Sequence, residues 1–324
     1  MAGYSQNSER RCGCGKISTQ RLKRSTIGCR AFDAEELHEY RRRNLTQLQK
    51  KRRGVLAAVA AALCFSIGGL LMKLIPWNAL AINGSRNLIA CCVIGLYIRF
   101  THHKLRLNGT VLLGAVCIGS VTTLFVLANK LTTAGNAIIM QYTEPVWAVL
   151  LMYIFFKKKP GKRELISIGV VLAGIVFFFF ESLGSGRMLG DLLALLSGIF
   201  YAGMFMLNRF EKGDQLSSMF FGQILTGILL TPAIRTETDF RPQVIFALVI
   251  LGAVQVGLAY IFLATSLQYI DPVQSSVICT LEPILNPILV AVFYGEMLGP
   301  LAIAGGVIVV GGILYYNISS PEPK

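Results

Sequence analysis

From residue 54 to residue 317 the chain is a succession of apolar runs broken by short polar connections. The runs fall at 54–74, 77–98, 108–129, 133–156, 163–180, 190–208, 216–233, 242–266, 271–294 and 299–317. A helix crosses about 30 Å of hydrocarbon with roughly 17 to 25 residues, so each run is long enough to span a bilayer. The pattern predicts an all-α integral membrane protein of ten transmembrane helices, with no room for a second soluble domain beyond the first 53 residues.

Polar residues inside these runs are few, and two of them recur in the same company. Glu144-Pro145 sits in the fourth run and Glu282-Pro283 in the ninth, 138 residues apart. An ionisable side chain near the bilayer midplane costs about 2.5 to 3.5 kcal/mol, so it is expected to face a cavity, a partner charge or a substrate path. Proline beside it removes a backbone donor and bends the helix. At the same offset Leu113-Gly114-Ala115-Val116 meets Leu251-Gly252-Ala253-Val254 and Gly174-Ile175 meets Gly312-Ile313, with 13 identities over residues 112–178. Thr133 falls on Asp271, each a suitable N-cap for the span that follows, with Pro272 placed at a first helical position. An offset of 136 aligns Gly54 with Gly190 and Lys73 with Arg209. Each repeat then holds five spans, and an odd number sets the halves inverted in the bilayer around a central site. The expected organisation is a basic cytoplasmic extension over 1–53 and two inverted five-helix repeats over 54–180 and 190–318.

Charge orients this arrangement. Of the net +14, residues 1–53 supply 14 Lys and Arg against five Asp and Glu. If that extension is cytoplasmic, the loops on its side add Arg99, Lys104, Arg106, Lys157, Lys158, Lys159, Lys162, Arg163, Arg209 and Lys212, against Lys73, Lys130, Arg187, Arg235 and Arg241 opposite. The bias places both termini in the cytoplasm, in a plasma or bacterial inner membrane, with an organellar membrane as the alternative raised by the Arg- and Ser-rich first 32 residues. It also explains the basic charge as topology and attraction to anionic lipid, so nucleic acid is not an expected partner. Residues 33–53 read as a surface helix leading into the first span, acidic at its start and basic at its end. Cys64, Cys91, Cys92, Cys117 and Cys279 lie in spans, and the tail's Cys12, Cys14 and Cys29 have no second ligand set at metal spacing, so neither a disulfide framework nor a metal is expected.

The Glu-Pro pairs, the Gly-rich fifth and tenth spans, a membrane-embedded Arg86 in span two and the five-plus-five duplication together resemble the drug/metabolite transporter superfamily, in its ten-span EamA type. The resemblance covers about 54–318. It implies a secondary transporter that moves a small metabolite, commonly by export of an amino acid or related compound, through alternating access and without ATP or a cofactor. A nucleotide-sugar or organic-phosphate exchanger of the same fold is the alternative, ahead of a channel or a membrane enzyme.

Helical spacing joins Ser275, Cys279, Glu282 and Asn286 on one face of span nine, and Ala137, Gln141, Glu144 and Ala148 on one face of span four. The candidate substrate or coupling residues are therefore Glu144, Glu282, Arg86, Gln141, Ser275, Asn286 and Tyr142, with Pro145 and Pro283 bending the helices. The carboxylates either line the pathway or bond neighbouring helices, and Arg86 either receives an anionic substrate group or pairs with Glu144 or Glu282, the latter being favoured. Trp147 and Tyr142 offer stacking surfaces. Trp77, Tyr315 and Tyr316 read as interfacial anchors, and Gly169, Ala173, Gly174, Ala302, Gly306, Gly311 and Gly312 as a helix-packing signal. His38, His102 and His103 all lie outside the runs, and no nucleotide loop or metal-protease motif is present, so an enzyme is not expected. Expected partners are the small-molecule substrate and anionic lipid at the tail, with protons and a second copy in a homodimer as open alternatives.

Overall fold

The computed structural model describes residues 34–319 except 158, 184, 208, 209, 211 and 271. The expectations placed on Cys12, Cys14, Cys29, Lys158, Arg209 and Asp271 fall outside the described residues. The chain divides into two units, Met1–Gln47 and Leu48–Lys324. Of the first, the described part is helical from Ala34 on. The second holds all the elements discussed below.

Every described element is helical: α1 (Ala34–Ser66), α2 (Gly68–Leu74), α3 (Ala79–Thr101), α4 (Gly109–Leu131), α5 (Ala134–Gln141), α6 (Glu144–Phe156), α7 (Lys162–Ser182), α8 (Met188–Leu207), α9 (Gln215–Leu229) and α10 (Thr231–Ile234). Then come α11 (Pro242–Ile250), a π-helical stretch Leu251–Leu258, α12 (Ala259–Tyr269), α13 (Pro272–Cys279), α14 (Leu281–Tyr294) and α15 (Pro300–Ser319). Among the described residues seven helical stretches are long and apolar enough to cross a membrane, and Met188–Met204 and Pro300–Tyr316 are shorter apolar helices. Within the second unit the first span breaks at Ile67, between α1 and α2.

Local chemistry sets the boundaries. Asn78, Asn108 and Thr133 cap α3, α4 and α5, each side-chain oxygen accepting from the backbone N–H three residues on. Span four breaks between Gln141 and Glu144 because Pro145 has no N–H for the carbonyl of Gln141, four residues back. Span nine breaks at Thr280 for the same reason, with Pro283 releasing the carbonyl of Cys279. At the 138-residue offset the two broken helices correspond almost residue for residue. α5 begins at Ala134 and α13 at Pro272, and both final helices end on a left-handed residue, Lys157 with φ 55° and Gly295 with φ 78°. α7 and α15 also begin 138 residues apart, at Lys162 and Pro300.

Close backbone approach fixes the layout. Gly190 lies against the Leu131–Thr132 peptide, and Gly54, its counterpart at an offset of 136, lies against Tyr269 and Ile270. Gly174 on α7 and Gly305 on α15 stand face to face, each carbonyl oxygen 2.8 to 2.9 Å from where the other's Cβ would be. Of the small residues singled out above, Gly174, Gly306 and Gly312 pack against the facing helix, whereas Gly169 and Gly311 have nothing within 4 Å. Fully buried Met72, Ile75, Ile82, Ile138, Met140 and Phe178 fill the interior between them.

One end of the bundle is tied across the repeats by charge. Lys73 Nζ lies 2.7 Å from Glu296 Oε2 and donates to the Thr132 carbonyl at 2.9 Å, while Glu296 Oε1 accepts from the Ala134 N–H at 2.7 Å. Trp77, expected as an interfacial anchor, is instead buried: its Nε1 donates to the Asp239 carbonyl and its ring meets Phe240 edge-on at 5.3 Å. At the other end Asn108 Nδ2 donates to the Lys212 carbonyl, and His103 Nε2 lies 2.8 Å from Asp214 Oδ2.

Candidate functional site

The end of α1, α3, α4, the α5–α6 break, α8, the π-helical stretch, α12 and α14 converge on a narrow interior space of about 40 Å³. That is room for about three waters and less than any amino acid occupies. Arg86, Thr122, Gln141, Tyr142, Gln255 and Glu282 supply its polar lining, and Phe65, Phe125, Tyr201 and Tyr260 its aromatic walls. Phe65 and Tyr260 pack edge to face at 5.3 Å, which holds both rings on the same side.

The helix breaks deliver the chemistry. Tyr142, at the break of span four, reaches across to span nine, where its Oη lies 2.6 Å from Glu282 Oε2 and 3.0 Å from the Cys279 carbonyl. That carbonyl is the one Pro283 released, so the proline creates the second acceptor. A phenol has a single proton to give. With Glu282 ionised, Tyr142 donates to the carboxylate. With Glu282 protonated, the carboxyl can donate to Tyr142 Oη while Tyr142 turns its own proton to Cys279. The same three groups therefore satisfy both protonation states. The carbonyl released by Pro145 on Gln141 is met by Gly198 on α8, whose Cβ would stand 2.9 Å away.

Arg86 is 2 % exposed and donates to three neutral acceptors: Asn83 Oδ1 from Nε at 3.1 Å, the Thr122 carbonyl from Nη2 at 3.2 Å and Gln255 Oε1 from Nη1 at 3.4 Å. Among the described residues it forms no ion pair, so in this conformation the favoured pairing with Glu144 or Glu282 is not made, although Glu282 lines the same space. The remaining candidates separate. Gln141 lines the space and donates from Nε2 to Ser197 Oγ at 3.2 Å. Glu144 is buried beside the break, outside the lining, with Oε2 lacking a hydrogen-bond partner. Ser275 is buried and shares a hydrogen bond with Ser266 at 3.1 Å. Asn286 packs on Gly69 with both amide atoms unpaired. Helical spacing put Ser275, Glu282 and Asn286 on one stripe, but the break at Thr280 separates Ser275 from the other two, Asn286 turns to Gly69, and only Glu282 is in the lining. Trp147 donates to Thr143 Oγ1 at 3.0 Å and is not in the lining.

Several residues here were not singled out as site members from sequence. Gln255, Thr122, Tyr201 and Tyr260 line the space. Asp191 is fully buried at the start of α8, accepting from Thr132 Oγ1 at 2.6 Å, from Asn136 Nδ2 at 3.2 Å and from Ser182 Oγ. A lone acid at the head of an apolar run, with Val55 at the corresponding place in the first repeat, was the available signal.

Residues 52–180 and 188–318 each match the EamA-like transporter family. An "uncharacterized transporter" of Archaeoglobus fulgidus is 26% identical over 195 residues, which cover 58% of this chain and 61% of the relative, so the match spans about three fifths of that protein's length. An "uncharacterized transporter" of Clostridium kluyveri is 24% identical over 233 residues, covering 66% of this chain and 75% of the relative. A solved crystal structure 17% identical in sequence superposes with a TM-score of 0.60 over 82% of this chain and 97% of its own, which shows a shared fold.

Proposed function

We propose that this chain, which belongs to the EamA-like transporter family of the drug/metabolite transporter superfamily, carries a small zwitterionic metabolite, an amino acid or close relative, out of the cell by alternating access. One observation carries the reading. Arg86 from the first repeat and Glu282 from the second line the same buried space without pairing with each other. A guanidinium bonded only to neutral acceptors keeps its charge for a carboxylate, and a carboxylate held by a phenol keeps its charge for an ammonium. The aromatic walls add apolar surface for a side chain. Glu144 is a second carboxylate near the path, and Pro145 and Pro283 supply the bends on which the broken helices turn.

In this reading the protein has ten spans in two inverted five-helix repeats, both termini cytoplasmic, in a plasma or bacterial inner membrane. α9 and the two shorter apolar helices complete the ten, and the Gly190 and Gly54 contacts at opposite ends support the inversion. The space is too narrow for such a substrate in the present conformation, so loading requires the repeats to part. Protons are the proposed coupling ion, because Tyr142 and the Cys279 carbonyl accommodate Glu282 in either protonation state. A phosphate exchanger would need further fixed positive charge at the site. Lys73 is engaged with Glu296 and Lys130 with the Ile75 carbonyl at 2.6 Å, and neither lines the space, so this alternative is the weaker one.

The test is an untargeted comparison of metabolites released by cells with and without the protein, followed by counterflow of each labelled candidate in proteoliposomes. Saturable counterflow of an amino acid is expected. Saturable exchange confined to organic phosphates or nucleotide sugars would overturn the substrate assignment, and an unsaturable current would overturn the carrier mechanism.

A further inference from the structure

The second repeat leaves α-helical geometry at Leu251–Leu258, a π-helical stretch between α11 and α12. Its counterpart at the 138-residue offset lies inside the regular helix α4. π-helical turns are rare and occur mostly at functional sites. Here the turn does two things. Gly252 and Gly257 bring it against the backbone of α3: a Cβ on Gly252 would lie 2.8 Å from the Arg86 carbonyl oxygen, and one on Gly257 would lie 2.9 Å from Val93 Cβ. Gln255, on the same turn, then enters the central space with Oε1 on Arg86 Nη1 and Nε2 against Gly68, where a Cβ would come within 2.8 Å. The equivalent position in the first repeat is Cys117, which has no amide to offer.

The guanidinium of Arg86 is thus held in place by hydrogen bonds and neutralised by none of them. An acidic residue at 255 would fit the same volume and would hold Arg86 more tightly, but it would cancel the charge. We propose that Gln255 is a specificity-determining positioning residue of the central site: the π-helical turn sets a neutral amide against Arg86, which fixes the guanidinium and leaves its charge for the carboxylate of the substrate. This inference rests on the reading of the site as a zwitterion carrier.

The test uses the full chain in proteoliposomes and compares counterflow of labelled L-tyrosine with that of tyramine, the same molecule without its carboxylate. The parent should prefer tyrosine. Gln255→Glu should lower the tyrosine-to-tyramine ratio of kcat/KM by about tenfold or more, mainly through the KM for tyrosine. Gln255→Met, which keeps the volume and the charge of Arg86 but removes the acceptor that fixes the guanidinium, should lower the ratio too, by a smaller factor than Gln255→Glu. A second readout needs no substrate. In detergent, Gln255→Glu should raise the melting temperature when Arg86 is present and not in an Arg86→Gln background. An unchanged ratio in Gln255→Glu overturns the proposal. If the parent carries neither compound, the zwitterion reading fails separately and the melting cycle decides: coupling between 255 and 86 supports the positioning role, and its absence overturns it.

Discussion

Removing the charge of Glu296 should open the end of the bundle that Lys73 and Glu296 hold shut. Glu296→Gln keeps an oxygen for the Ala134 N–H and loses the attraction to Lys73, whose ammonium is 2.7 Å away. A fully exposed pair is worth about 0.2 to 1 kcal/mol, and a hydrogen bond to a charged group about 1.5 to 3 kcal/mol. With side-chain exposures of 10% and 21% this pair lies between those limits. A loss of about 1 to 2 kcal/mol corresponds to a factor of about 5 to 30 in the balance between closed and open. The assay is the rate at which a membrane-impermeant maleimide, applied from the Glu296 side, labels a single cysteine at Val121, which lines the central space, in an otherwise cysteine-free protein. Labelling should quicken by about that factor in Glu296→Gln and in Lys73→Gln, and the double variant should be no faster than the quicker single one, because both remove the same pair. Parent-like rates in both single variants, or fully additive effects in the double, would refute the reasoning.

Glu282→Gln should abolish or strongly slow transport at normal membrane abundance, whereas Glu144→Gln should be milder because Glu144 stands outside the lining; transport assays on equal amounts of protein compare them. Tyr142→Phe leaves Glu282 and the Cys279 carbonyl without their shared donor and should cost about 1 to 3 kcal/mol, read as a lower midpoint in detergent unfolding. Gly174→Leu or Gly305→Leu drives α7 and α15 apart and should cost about 1 to 3 kcal/mol or more, while Gly169→Leu, which meets open space, should leave folded yield unchanged. An alkaline-phosphatase-type reporter placed after Ser185 should be active outside the cell and one placed after Lys324 should not; the reverse pattern would overturn the proposed orientation.

The repeat was legible because it is written in backbone chemistry. Prolines at 145 and 283 act through the backbone four residues before them, and capping by Thr133 depends on its neighbours in sequence, so the offset of 138 could be read from residues and was met again in matching helix ends. Arg86, Gln141, Tyr142 and Glu282 line one space. Ser275 was assigned to the face of Glu282 on the assumption of an unbroken helix, and the break at Thr280 puts it on a separate segment, α13; Asn286 shares α14 with Glu282 but packs on Gly69, an interhelical contact that spacing does not reveal. Contacts between spans were not legible. Nothing in the sequence tells that Tyr142 reaches Glu282 rather than stacking on a ligand, or that three donors from other helices surround Asp191. The π-helical stretch was invisible because residues 251–254 repeat residues 113–116 letter for letter, yet only the later copy departs from α-geometry.

The glycine contact between α7 and α15 has a mechanical consequence. Interlocked side chains hold two helices in fixed registers, since each knob must leave its hole before the helices can shift. Where Gly174 faces Gly305 the two backbones themselves meet, and the side chains seated beside them are Val309 on Gly174 and Phe177 and Phe178 on Gly305. Neither helix contributes to the central space, so this crossing lies off to one side of it and joins the repeats there. It has the makings of a fulcrum: a few degrees of turning between flush backbones, carried along the length of the repeats, become a much larger displacement at the mouth of the path.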